Sequence, residues 1–191
     1  MAASRNAENP GNGAGKPTVK LFNGRTLTGW SAADAGAASN WVAHSGVLQS
    51  IAKGPSLATT QKFGDFSLHL EFALPRGCNS GVFLRGRYEV QLVDAVKPPA
   101  PKASCGAIYN LIAPSRAAYV GPDRWNKLDV TLVGNVVTVK LNGTEIIDAQ
   151  RITGVTNGAL DRNEAQPGPI LLQAQTAVGA KFRNITIKPL D

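Results

Sequence analysis

The chain has 191 residues, 43% of them hydrophobic, so it can bury one full core but is too short for two domains of ordinary size. Its formal net charge is +7, yet no two Lys or Arg residues are adjacent and the basic residues spread over the whole length, which argues against a nucleic-acid partner. No apolar run approaches the ~20 residues of a membrane span, so we expect no transmembrane segment.

The first residues, "MAASRNAENPGNGAGKP", contain Gly, Asn, Ala, Pro and charged side chains and no apolar signal-peptide core. We therefore predict a flexible lead-in over residues 1–17 and a single domain over residues 18–191. Gly (20) and Pro (12) are frequent throughout the chain, which favours many short strands joined by turns.

The clearest strand is "FSLHLEFA" at residues 66–73, where apolar and polar side chains alternate. A meander of three strands is predicted in "KLDVTLVGNVVTVKLNGTEIID", because Gly134-Asn135 and Asn142-Gly143 suit tight hairpin turns. "PILLQAQ" and "AKFRNITIKPL" are predicted as closing strands, and only residues 114–118 leave room for a short helix. The chain is therefore all-β, with two antiparallel sheets packed face to face or a barrel.

One strand carries an unusual number of polar side chains, in "NSGVFLRGRYEVQLVDA" at residues 79–95. These are Arg85, Arg87, Glu89, Gln91 and Asp94. If the apolar residues between them face the core, Glu89 and Gln91 face away, while strict alternation sends Asp94 inward. An unpaired carboxylate in an apolar core is costly. We therefore predict a β-bulge after Gln91 that turns Asp94 to the side of Glu89.

The two cysteines, Cys78 and Cys105, each stand beside one of the motifs discussed below. In an oxidising compartment they suit a disulfide, and in a reducing one they suit two small, partly buried thiols. The sequence leaves both alternatives open.

Seven separated motifs share one order and spacing with a known family. They are "LFNGRTLTGW", "NSGVFLRG", "YEVQLVDA", "CGAIYN", "RWNKLDVTLVGNVVTVKLNG", "GPILLQ" and "FRNITIKPL". Through them the chain resembles the 3-keto-disaccharide hydrolase domain family over nearly everything from Val19 to Leu190. The resemblance implies a concanavalin A-like, jelly-roll β-sandwich that acts on an oligosaccharide or 3-keto-glycoside in an exported bacterial protein, periplasmic or secreted.

The run from Glu89 to Asp94 is also similar to the E-x-D-x-x-E strand of laminarinase-like glucanases, which share the broad fold. Here Gln91 replaces the middle acid and Asp94 is one methylene shorter than the usual Glu. A retaining glycosidase needs two carboxyl groups about 5–5.5 Å apart, and the shorter acid makes that spacing harder to reach. Ordinary retaining hydrolysis is therefore disfavoured.

A 3-keto sugar permits a different reaction, because the carbonyl acidifies the hydrogen at C2 and allows elimination of the C1 substituent followed by addition of water. This chemistry needs a base, an acid and a group that stabilises an enolate. We predict Glu89 and Asp94 as the acid and base, with Arg85 holding the oxyanion. The alternative is a structural network of Arg and carboxylate groups, or groups that only bind sugar hydroxyls.

A further set of polar side chains is predicted to bind the carbohydrate. It comprises Asn79, Arg85, Gln91, Tyr109, Gln173 and Gln175. Tyr109 suits stacking on a sugar ring or hydroxyl donation, although a packing role fits it equally. His44 and His69 lie on a turn and on a polar strand face, where we predict surface or structural roles. No His, Cys or Asp residues have the spacing of metal ligands, so we predict no metal and no cofactor.

Two functional classes remain open. The first is a hydrolase or lyase of 3-keto-glycosides, which the intact "YEVQLVD" strand favours. The second is a carbohydrate-binding module of the same fold. The resembling family often has "GPIGLQxHG", and Gln175 stands here in place of its His. That departure favours the module.

Overall fold

Short alternating segments form thirteen β-strands and one 3-10 turn in a computed structural model that describes residues 16–95, 100–177 and 179–191. Residues 1–15 of the predicted lead-in lie outside the described residues. In chain order the strands are β1 (Val19–Lys20), β2 (Trp30–Ala32), β3 (Trp41–His44), β4 (Val47–Ser50), β5 (Leu57–Thr59), β6 (Phe66–Ala73), β7 (Asn79–Leu84), β8 (Tyr88–Val93), β9 (Asn126–Val133), β10 (Val136–Leu141), β11 (Thr144–Arg151), β12 (Leu171–Leu172) and β13 (Lys181–Pro189).

The strands form two antiparallel sheets. The eight-stranded sheet has the order β11-β10-β9-β6-β13-β4-β3, with β1 also pairing to β13. The five-stranded sheet has the order β2-β5-β12-β7-β8. They pack as a sandwich, which confirms the predicted all-β jelly-roll class and selects the sandwich over the barrel.

The core lies between the sheets and follows from the alternation of apolar residues. On β6, Phe66, Leu70 and Phe72 are fully buried, whereas the intervening polar residues are half-buried. Burying each such side chain contributes roughly 1.5–3 kcal/mol. On β8 the apolar residues Tyr88 and Val90 are also fully buried, so the polar residues between them belong to the outer face of the five-stranded sheet.

The predicted meander is confirmed, since β9, β10 and β11 pair in sequence. Its turns contain Gly134, Asn142 and Gly143 with φ of 55°, 52° and 78°. These left-handed angles cost Gly little and are tolerated by Asn, which is why these residue types occupy the turns.

The room left for a helix at residues 114–118 is not used. That segment has no helix, and the single 3-10 turn lies at Pro101–Ala103. The predicted strand in "PILLQAQ" is also shorter than expected: only Leu171–Leu172 belongs to β12, since Pro169 has no N–H to donate to a ladder. Among the described residues, no helix is long and apolar enough to cross a membrane.

Candidate functional site

The polar residues of β8 lie on the outer face of the five-stranded sheet. Strand β8 pairs with β7 in an unbroken antiparallel register, from Leu84 opposite Tyr88 to Asn79 opposite Val93. The predicted bulge after Gln91 is therefore absent, and plain alternation places Glu89 and Gln91 on one face. Asp94 continues the same register, because its N–H donates to the carbonyl of Cys78 at 2.9 Å.

Asp94 consequently points away from Glu89. Its Oδ2 accepts a hydrogen bond from the N–H of Gly77 at 2.8 Å, and its Oδ1 accepts one from the hydroxyl of Tyr119 at 3.4 Å. It lines a separate cavity of about 610 Å3 with Tyr119 and Arg116. Because these two donors pair the carboxylate, the cost of an unpaired charge that favoured a bulge does not arise. Burial, and then the charge of Asp94, raise the pKa of Tyr119.

Arg85 is not placed near Glu89 either. It lies in the turn between β7 and β8 with a φ of 51°, and only 5% of it is exposed. Its Nε donates to the carbonyl of Gly64 at 2.7 Å and its Nη2 to Asp65 at 2.6 Å. It lines a cavity of about 600 Å3 at one end of the sandwich, together with Tyr88. Arg85 is therefore paired with a carboxylate outside the cavity of Glu89, and its part in binding a substrate stays a prediction.

Arg87, the next basic residue, ties down the loop that follows β11. Its guanidinium makes two hydrogen bonds to the carboxylate of Asp161, at 2.7 and 3.2 Å, and a third to the carbonyl of Gln166 at 2.7 Å. The hydrogen bond from Arg87 lowers the pKa of Asp161. Since Arg87 is buried and makes these three hydrogen bonds, its contacts hold the loop in place beside the site.

Six of the residues predicted as functional line a single hollow on the outer face, which we call the sheet-face pocket. It encloses about 260 Å3 and is lined by Asn79, Glu89, Gln91, Tyr109, Asn157, Gly158, Gln173 and Gln175. Of the described residues that line it, only Glu89 carries a carboxyl group. Gln175, at the position of the family His, is exposed and lines this hollow together with the buried Glu89.

Backbone hydrogen bonds bring the pocket segments together. The N–H of Gln173 donates to the carbonyl of Gly81 at 2.9 Å, which extends β12 along β7. On the other side of β8, the N–H of Tyr109 donates to the carbonyl of Glu89 at 2.9 Å. The hydroxyl of Thr156 accepts the N–H of Glu89 at 2.9 Å and fixes the loop that carries Asn157.

Asn157 and Gly158, which the sequence did not single out, complete the lining from the loop after β11. "TNG" is a turn signal, and Gly158 has a φ of 81°. A Cβ on Gly158 would lie 3.2 Å from the ring of Phe83, so the loop packs closely on the sheet. The turn was detectable from the sequence, but its contact with β7 was not.

The carboxyl group of Glu89 has unusual electrostatics. Only 4% of the residue is exposed, and this burial raises its pKa from 4.5 to about 7. Desolvation disfavours the charged form. A carboxyl group with such a pKa exchanges a proton readily near neutral pH, which is what general acid–base catalysis requires.

Two buried oxygen atoms at the pocket have no hydrogen-bond partner among the residues that the structure describes. They are Oδ1 of Asn79 and Oε1 of Gln91. Leaving a buried acceptor unsatisfied costs roughly 1–3 kcal/mol, so such atoms are rare in folded proteins. Both are acceptors, and they suit a ligand that donates hydrogen bonds through hydroxyl groups.

The remaining candidate groups lie elsewhere. Cys78 and Cys105 are thiols, and the thiol of Cys78 accepts a hydrogen bond from Thr176 at 3.4 Å. His69 pairs with Asp129 on the eight-stranded sheet, with Nδ1 and Oδ1 2.7 Å apart. Within the described parts of the chain, no three His, Cys, Asp or Glu side chains are grouped to hold a metal ion.

Comparison with known proteins agrees with this architecture. A glycosyl hydrolase-like protein of Parabacteroides distasonis is 32% identical to this chain. The match covers 91% of this chain and 84% of that protein, with a TM-score of 0.78. A second one from the same organism is 19% identical, with 91% and 94% coverage and a TM-score of 0.79. Carbohydrate-binding module CBM66 of Bacillus subtilis, 15% identical, covers 84% of this chain and 95% of its own with a TM-score of 0.54, a likeness of fold.

None of the curated proteins matches this sequence. The 3-keto-alpha-glucoside-1,2-lyase-like domain, however, matches residues 17–188, nearly the whole chain. This confirms the resemblance drawn from the seven sequence motifs. The chain belongs to the 3-keto-alpha-glucoside-1,2-lyase-like domain family.

Proposed function

We propose that the protein cleaves a 3-keto-glycoside by elimination in the sheet-face pocket, with Glu89 transferring the protons. One observation carries the proposal: Glu89 is a buried carboxyl group with a pKa of about 7, in a pocket otherwise lined by neutral groups. Such a group is a stronger base than an ordinary Glu, and near neutral pH it can also act as an acid.

Elimination fits the pocket better than two-carboxylate hydrolysis. Glycosidases of that type need a second carboxyl group about 5–10 Å from the first. Among the residues that line the pocket only Glu89 supplies one, and Asp94 belongs to another cavity. Elimination from a 3-keto sugar can proceed with one carboxyl group, because the same group can accept the first proton and donate it later.

The proposed reaction begins with loss of the proton at C2 of the sugar. The carboxylate of Glu89 removes the proton from C2, and the electrons of that bond form a C2=C3 enolate whose charge rests on the C3 oxygen. The enolate then restores the C3 carbonyl and forms a C1=C2 double bond as the bond from C1 to the leaving oxygen breaks. The carboxylic acid of Glu89 returns its proton to that oxygen. Water adds to the double bond in a separate step and completes net hydrolysis.

The neutral side chains around Glu89 suit the binding of one uncharged sugar ring. The volume, about 260 Å3, lies below the ~300–1,000 Å3 typical of drug-sized ligands. The unpartnered oxygens of Asn79 and Gln91 suit sugar hydroxyls as donors. The amide N–H groups of Gln173 and the hydroxyl of Tyr109 are candidates to stabilise the enolate oxygen.

The test is turnover of 3-keto-trehalose or a 3-keto-glucoside, with incubation in D2O to follow exchange of the C2 hydrogen. We expect Glu89→Gln to reduce both cleavage and exchange by roughly 10²–10⁴-fold, since it keeps the shape and removes the base. Asp94→Asn is the matched control, because it changes a nearby acid of the same strand that lies outside the pocket, and it should stay near wild type. Equal loss in both variants, or none in Glu89→Gln, would contradict the role of Glu89.

A carbohydrate-binding module remains the second candidate, favoured by the amide-rich lining and by Gln175 at the position of the family His. It predicts sugar binding without cleavage or C2 exchange in the wild-type protein. The periplasmic or secreted location is part of either proposal and is tested by fractionation of the native host cells.

A further inference from the structure

A glycine stands in the middle of β7 where the backbone does not require one. Gly81 pairs with Gln91 in an unbroken antiparallel register, and its φ lies outside the left-handed region. Glycine in a strand interior is unfavourable for the strand, and it often marks a close approach of another group. We therefore examine which side chain lies over the α-carbon of Gly81.

The group that crosses Gly81 is the side chain of Glu89. A Cβ added to Gly81 would lie 2.8 Å from Cγ and 2.9 Å from Cδ of Glu89, and closer still to its Oε1. Real Cβ atoms essentially never approach another atom this closely. The carboxyl group thus occupies the space that any other residue at position 81 would fill.

The direction of the Glu89 side chain follows from this contact. Glu89 itself pairs with Phe83, one position of the same face further along β7, so its side chain leans diagonally to reach Gly81. That path carries the carboxyl group toward Gln91, which pairs with Gly81, and toward Gln173, whose N–H donates to the Gly81 carbonyl. It ends on the floor of the sheet-face pocket.

We infer that Gly81 is a positioning residue, which sets the depth and direction of the Glu89 carboxyl group by leaving its own side-chain space empty. The inference deepens the proposed function, on which its catalytic consequence rests, whereas its structural consequence does not depend on any activity.

A methyl group at position 81 would force the carboxyl group off the pocket floor and toward solvent. Since burial is what raises the pKa of Glu89 to about 7, the displaced group should titrate lower. Around Glu89, β7, the residues after β12 and the 156–158 loop contribute neutral side chains to the pocket. Segment 106–109 contributes Tyr109, the one other titratable side chain among the described lining residues. The charged groups of Arg85 and Arg87 are engaged elsewhere.

The test is an NMR titration of the Glu89 carboxyl carbon in the wild type, Gly81→Ala and a control, Gly64→Ala. In the control the methyl group also meets a carboxyl group, that of Asp191, but at the exposed C-terminus and outside the pocket. We expect the pKa of Glu89 to fall by about one unit or more in Gly81→Ala and to stay unchanged in Gly64→Ala. With a 3-keto-glucoside, Gly81→Ala should lower kcat more than it raises KM. The acidic limb of the pH profile, where the Glu89 base loses its charge by taking up a proton, should move to lower pH in parallel.

Comparing Gly81→Ala in the wild-type and Glu89→Ala backgrounds tests the same contact even if Gly81→Ala folds poorly. In a Glu89→Ala background the side chain that meets the methyl group is gone, so adding Gly81→Ala should then leave the urea midpoint nearly unchanged. An unshifted Glu89 titration in a folded Gly81→Ala protein, or equal destabilisation in both backgrounds, overturns the inference. Absence of turnover by the wild type would overturn the proposed function alone, since the titration and the urea midpoints still test the position of the carboxyl group.

Discussion

Two hollows of the same volume, about 260 Å3, lie on the outer faces of the two sheets, and their polar groups differ in pairing. On the eight-stranded sheet, His69 meets Asp129 at 2.7 Å and Ser67 meets Thr131 at 3.1 Å. On the five-stranded sheet, the sheet-face pocket holds a desolvated carboxyl group and two acceptors without partners. Volume alone does not distinguish the two hollows, whereas the pairing of their polar groups does, and the groups without partners make the sheet-face pocket the candidate site.

Removing the ionisable group from the sheet-face pocket should have the largest effect on the free energy of unfolding. Between pH 4.5 and pH 7 the folded protein holds a proton on Glu89 that the unfolded chain releases, so wild-type stability falls as pH rises through this window. Glu89→Gln cannot ionise and escapes that loss. We expect it to be more stable than the wild type by about 3 kcal/mol at pH 8 and by nearly nothing at pH 4, measured by urea unfolding. A constant difference at both pH values would contradict the raised pKa.

A smaller effect is expected when an unpartnered amide of the sheet-face pocket is replaced by an apolar side chain of similar shape. Gln91→Met removes the buried oxygen without a partner, so we expect unchanged or slightly higher thermal stability. Affinity for a 3-keto-glucoside should fall by roughly tenfold, because a sugar hydroxyl loses its acceptor. Calorimetric titration in a Glu89→Gln background, which prevents turnover, measures the change. Ser67→Ala is the control from the other face, and affinity retained in Gln91→Met would show that this amide does not bind sugar.

The smallest effect is expected from the paired face. His69→Gln removes the contact with Asp129, and both side chains are partly exposed, at 36% and 47%. Such pairs contribute less than about 1 kcal/mol. We expect a small decrease in the urea midpoint and no change in sugar affinity or turnover. A loss of turnover in this variant would break the distinction between the two faces.

The sequence was informative wherever period-two alternation decides the outcome. It predicted β6, the turns of the meander and the shared face of Glu89 and Gln91, because each depends on residues adjacent in the chain. The pocket also gathers Tyr109 and Gln173, which motif order alone had suggested. Their part in binding or catalysis stays a prediction.

The errors arose where distant partners decide the outcome. Asp94 is held by Gly77 and Tyr119, and Arg85 is held by Asp65, which lies 20 residues earlier. Period-two alternation and local spacing contain no information about such partners. The same limit hid Asn157, whose loop is joined to β8 by the hydroxyl group of Thr156 and to Arg87 by the N–H of Thr156.

Strand β8 carries the Glu89 side chain at the very margin of its sheet, since it is last in the order of the five strands. Its free side is covered by a short stretch of chain. The N–H groups of Gly106 and Tyr109 donate to β8, and the N–H of Gln91 donates to Ala107. Sheet margins left bare offer unpaired peptide groups to other molecules and promote intermolecular β-pairing. The segment that brings Tyr109 to the pocket therefore also covers an edge that would otherwise be open to intermolecular β-pairing, and we expect changes that loosen it to increase aggregation.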